Sequence, residues 1–148
     1  MLETRIIVII LLALELIIVI TNWLRYQSFR KLEHLITEHE KHILTGQIII
    51  WFILFTFIPI WLASILIFGY NSSFSIFGIN IIPSLLGWII ILSFVVYISA
   101  SAIKNQLFLH LGNGIKANVI RGTGAIIWGV LLMGVAILPL FAMIQNWL

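Results

Sequence analysis

Glu15 lies near the middle of IIVIILLALELIIVITNW, residues 6–23, an apolar run long enough to cross a bilayer. A carboxyl group at that depth can carry a proton or hold a cation, and ionisable residues inside membranes point to functional sites by default. It can equally act as a neutral hydrogen-bonding group between helices, a contact of about 0.6 kcal/mol on average. An anion facing hydrocarbon would cost about 2.5–3.5 kcal/mol. The sequence therefore places Glu15 against protein, where apolar surroundings without a cation favour the protonated form. The chain contains no Asp, and Glu15 is the one acid within an apolar segment.

Depth along each apolar run selects the groups that could meet this carboxyl. Counted inward at about 1.5 Å per residue, Thr56, Ser93 and Trp128 with Gly129 fall into one layer with Glu15. Asn22 lies two turns from Glu15 on the same helical face, and Arg25 or Tyr26 extends the line. Ser93, Tyr97, Ser101 and Lys104 form a second stripe at spacings of four, four and three. Together with Gln47 and Arg121 they outline a polar path leading from Glu15 towards the basic loops, with no counterpart in the other direction.

Other residues carry weaker chemical signals. His34, Glu38 and His42, spaced four apart, have the helical spacing of a metal site but lack a fourth ligand, and a solvated face accounts for them as well. His39 falls inside an apolar arc, and His110 stands alone at the end of the third run, without a second histidine at matching depth for haem ligation. Pro59 frees a carbonyl near Phe55, and Thr56 offers a hydroxyl beside it. The last run is rich in small residues, including Gly124, Ala125, Gly129 and Gly134, which permit close backbone approach between helices in lipid. No cysteine is present, so disulfides, thiol catalysis and Cys-bound metals are excluded, and no cofactor is expected.

The elements that must position these residues follow from composition. Of 148 residues 62% are hydrophobic and 9% charged, against roughly 45–50% and 25% in soluble domains. This composition specifies an all-α integral membrane protein. Apolar runs of spanning length occupy about residues 6–24, 48–69, 81–103 and 119–143 in a single domain, 1–148. Seven of the eight Lys and Arg residues lie in two stretches, Arg25 to Lys41 and Lys104 to Arg121. This asymmetry marks a cytoplasmic side, with both termini outside, and not a nucleic-acid patch.

The stretch from 25 to 44 places Phe29, Leu32, Leu35, Ile36 and Ile43 within an arc of about 120°. That pattern predicts an amphipathic helix lying on the membrane between the first two spans. The third helix is expected to run to about Leu111, followed by an Asn113-Gly114 turn. Tyr70 is an expected headgroup-level aromatic, and Asn71-Ser72-Ser73 fits a glycosylation sequon on the outer side.

The resulting expectation is a small multi-pass protein of the cytoplasmic membrane, without catalytic activity, that works by association with other subunits or with copies of itself. The alternative is an oligomeric ion- or proton-coupled transporter or channel in which Glu15 titrates. A membrane enzyme acting on a lipid or quinone near Tyr97 and Lys104 ranks last, because no nucleophile has a matching base.

Overall fold

The computed structural model describes residues 2–69, 73–111 and 116–147. Four helices carry the fold: α1 (Leu2–Lys31), α2 (Glu38–Phe68), α3 (Pro83–Asn105) and α4 (Thr123–Trp147). Each is long and apolar enough to cross a membrane. Two short antiparallel hairpins are added to them, β1 (Phe74–Ile76) with β2 (Ile79–Ile81), and β3 (Leu107–His110) with β4 (Asn118–Arg121). The Asn113-Gly114 turn, Tyr70 and the Asn71-Ser72 part of the sequon lie outside the described residues.

The helices form a row. α1 packs on α2, α2 on α3, and α3 on α4. α2 separates α1 from α3 because its two faces differ by half a turn. At about 100° per residue, Gly46, Gln47, Leu54 and Trp61 fall on the α3 side, and Thr45, Phe52, Thr56 and Pro59 on the α1 side. Glycines set the closest approaches. The Trp61 indole lies directly on Gly87, where a Cβ would come within 1.8 Å of Nε1. Gly129 rests on the Ser99 carbonyl, which a Cβ would approach to 3.0 Å.

No amphipathic surface helix joins α1 to α2. Residues 25–31 complete α1, a single 3-10 turn spans Glu33–Leu35, and α2 starts at Glu38. The Thr37 side chain accepts the Glu40 N–H at 3.3 Å, and Glu38 and Glu40 sit in the first turn of α2, where the helix dipole favours negative charge. Both helices thus extend beyond their apolar runs and enclose a core of their own. Phe29, Leu44 and Ile48 are buried there with Leu107, Leu109 and Ala117, while Leu32, Ile36 and Ile43 pack around them. The apolar arc in the sequence is real, but it covers protein and not lipid; Leu35, 63% exposed, is its exception.

The third helix also stops earlier than its apolar pattern suggests. Gln106 takes a left-handed conformation, φ 51° and ψ 38°, and the chain turns into β3. Alternation along β3 fills two cores at once: Leu107 and Leu109 enter the cluster with Phe29, and Phe108 enters a second with Leu54, Ile98, Ala102 and Ala125. Gly122, φ 66°, ends the hairpin and donates its N–H to the Gln106 carbonyl at 2.9 Å.

A side chain with a Cβ costs about 1–2 kcal/mol in the left-handed region. Gln106→Gly is therefore expected to raise thermal stability in detergent by about 1 kcal/mol, and Gln106→Val to lower it. Equal melting temperatures for the two variants would contradict the assigned backbone.

Candidate functional site

Gln47 is fully buried and divides its amide between β3 and α3. Nε2 donates to the Leu107 carbonyl at 2.8 Å and to Ser101 Oγ at 3.1 Å, while Oε1 accepts the Leu109 N–H at 2.9 Å. The side chain thus pairs the outer edge of β3 as a third strand would, satisfying backbone groups that the apolar interior cannot. Gln47 and Ser101, both expected on a polar path, do meet, but as a structural clamp. The Tyr97 hydroxyl lies against Gly46, where a Cβ would come within 3.3 Å, and Lys104 is exposed.

The chemically unusual region is the seam between α1 and α2. Among the described residues, Glu15 Oε1, Asn22 Oδ1 and Trp51 Nε1 are buried side-chain atoms with no hydrogen-bond partner. Two of the three belong to α1 and border cavities along this seam. Glu15 borders a space of about 160 Å³ with Leu12, Pro59 and Ala63. Pro59 also borders a neighbouring cavity of about 320 Å³ with Thr21, Asn22, Arg25 and Phe55. On the opposite side of the seam, Asn22 lines a third cavity of about 520 Å³ with Trp23, Tyr26, Thr45 and Thr56. The Arg25 guanidinium stands 4.9 Å from the centre of the Phe55 ring.

The expected layer around Glu15 does not assemble. Oε1 accepts no hydrogen bond, so neither Thr56 nor Trp128 serves as its donor, and the Ser93 hydroxyl donates to the Ile89 carbonyl of its own helix at 2.7 Å. Trp128 stacks on Phe108 with ring centres 5.9 Å apart and tilts over His110 at 5.0 Å. The polar path is divided as well, since Asn22 and Arg25 lie on one face of α2 and Tyr97 and Ser101 on the other. The i, i+4 basis for a metal at His34, Glu38 and His42 fails, because His34 sits in the 3-10 turn and α2 begins at Glu38. Among the described residues no group of three His, Cys, Asp or Glu could hold a metal ion.

The small residues of α4 divide by position. Ala125 and Gly129 are consumed in packing against α3, and a Cβ on Gly124 would meet Ile120 Cγ2 at 2.9 Å. Gly134 has open space around it. Arg121 has a different role from the one expected at a path mouth. Its guanidinium reaches Glu40 Oε2 at 3.0 Å and the Leu35 carbonyl at 3.3 Å, tying β4 to the α1–α2 connection. The hydrogen bond from Arg121 holds the Glu40 carboxyl below the usual carboxylate range. Beside it, Lys41 and Glu33 lie 3.5 Å apart.

No family model, curated protein or solved structure matches this chain.

Gln47→Leu leaves the Leu109 N–H and the Leu107 carbonyl without their side-chain partner in the core. With each orphaned group costing about 1–3 kcal/mol, a loss of about 2–5 kcal/mol is expected, with faster amide exchange at Leu109. Unchanged stability would show that the clamp is dispensable. The Arg121–Glu40 tie has a defined pH sign. A carboxyl held low when folded stabilises above its unfolded value, and this contribution is lost as pH falls through the folded one. Amide protection in β4 is expected to fall in acid below the carboxylate range, and Arg121→Gln to remove the part of that change due to Glu40.

Proposed function

We propose that the protein is a small multi-pass membrane subunit that works by association, with α1 as its docking helix. The observation that carries this reading is the Glu15 carboxyl. One of its oxygens is buried without a hydrogen-bond partner, Glu15 borders a cavity with Pro59 and Ala63, and the main helix contact of α1 among the described residues is α2. A further helix lying along the α1–α2 groove, from another subunit or from a second copy, would bring a donor or acceptor to that carboxyl. In an apolar medium such a pairing favours association because the free state leaves the group unsatisfied. The chain acts through contact and carries no catalytic role of its own.

The orientation belongs to the same reading. The α1–α2 connection and the β3–β4 hairpin share one end of the helix row, and Arg25, Arg30, Lys31, Lys41, Lys104, Lys116 and Arg121 lie in the hairpin or in the adjoining turns of α1, α2 and α3. By the positive-inside rule that end is cytoplasmic and both termini are outside, in a membrane of the cytoplasmic type.

Two substitutions test the assignment. Glu15→Gln keeps shape and hydrogen bonding, whereas Glu15→Leu keeps neither the donor nor the acceptor. Association in bilayers, followed by native mass spectrometry or energy transfer, is expected to survive in the first and weaken about 3- to 20-fold in the second. Undiminished association of the Leu variant would defeat the proposal. Loss of a pH-dependent flux in the Gln variant, with association intact, would assign Glu15 to ion or proton transport instead.

A further inference from the structure

Of the three seam cavities described above, the one bordered by Asn22, Trp23 and Thr45 lies on the side of α1 away from Arg25. It measures about 520 Å³, within the roughly 300–1,000 Å³ range of small-molecule sites. Asn22 reaches it from α1, 7% exposed, with Oδ1 buried and unpaired. An unpaired amide oxygen in apolar surroundings costs about 1–3 kcal/mol, which gives a donor arriving from outside the chain a large advantage. None of the residues lining this cavity is charged. Its mouth is formed by side chains that are more than half exposed: Val19, Trp23 and Ile49, at 53%, 60% and 51%. On a membrane-spanning pair of helices, exposed apolar side chains such as these face lipid.

These features select the occupant. The absence of charge in the lining disfavours a phosphate or carboxylate headgroup, whose burial needs a cation beside it. Water alone is a poor match for the volume, since apolar walls hold water only where several polar partners converge. A hydrocarbon would fill the space but give Asn22 nothing, and an ester, which only accepts, would leave Oδ1 unpaired. We propose that this cavity binds a neutral lipid alcohol, with its hydroxyl on the Asn22 amide near Thr45 and Tyr26, and its chain leaving between Trp23 and Ile49. A hydroxyl both gives and takes a hydrogen bond, so it can satisfy the carbonyl or the amino edge of the amide. The site is separate from the Glu15 groove and does not depend on association through it.

The probe is 9,10-dibromooctadecanol titrated into phosphatidylcholine nanodiscs that hold the intact protein, with its methyl ether as the matched compound lacking a donor. Bromine quenches nearby tryptophan, and the contribution of Trp23 is isolated by difference from a Trp23→Phe variant. Saturable quenching by the alcohol is expected, with about tenfold weaker binding of the ether. Asn22→Leu should bring the alcohol down to the level of the ether, and Ile49→Phe, which narrows the mouth from outside the core, should weaken both. Equal binding of alcohol and ether by the unmodified protein would overturn the proposal without reference to any variant. Non-saturable quenching, the signature of ordinary lipid contact, would overturn it equally.

Discussion

An apolar interior has no water with which to pair a backbone N–H or carbonyl, so every departure from helix must bring its own partners. The β3–β4 hairpin is such a departure, driven between the ends of all four helices. It is possible because Gln47 turns one buried carboxamide into an artificial strand edge, meeting the Leu107 carbonyl and the Leu109 N–H together. Much of the basic end depends on that pairing. Leu107 and Leu109 seal the core around Phe29, Phe108 seals the core around Ala125, and Arg121 at the end of β4 fastens the α1–α2 connection through Glu40.

The same requirement sets the α1–α2 seam apart from the rest of the molecule. Where α2 meets α3, Gln47 is answered by Ser101 and β3 and Ser99 by the Val95 carbonyl at 2.7 Å, while Trp51 Nε1, packed against the same core, has no partner. Where α2 meets α1, Glu15 Oε1 and Asn22 Oδ1 are buried atoms without a partner, beside open cavities. The proposed partner helix at Glu15 and the proposed lipid hydroxyl at Asn22 would each answer one of these two atoms.

The spans were legible in the sequence because twenty apolar residues in a row have few other uses. Their ends were not, because α1 and α2 continue through polar sequence that is stabilised by packing and not by hydrophobicity. Thr37-x-x-Glu40 carries the pattern of a helix start and would have placed the beginning of α2. The arc of Phe29, Leu32, Ile36 and Ile43 was legible as an apolar face but not as to what covers it, since a protein core and a lipid surface demand the same side chains. Leu107 to Leu111 could not be read as a strand, because a short apolar run has no period that distinguishes strand from helix, and its burial on both sides hides the alternation. Equal depth suggested that Glu15, Thr56, Ser93 and Trp128 share a layer; depth fixes height but not the facing direction, which the row of helices decides.

The central claim is that α1 presents its Glu15 side to another helix. Because the chain contains no cysteine, single cysteines placed one at a time from position 7 to position 20 can report on proximity in native membranes through a photoactivatable maleimide. Cross-links to polypeptide are expected to recur every three to four residues, with maxima at positions such as Val8 and Leu12 that border the Glu15 groove. Cross-linking spread evenly around α1, or confined to lipid at every position, would contradict it.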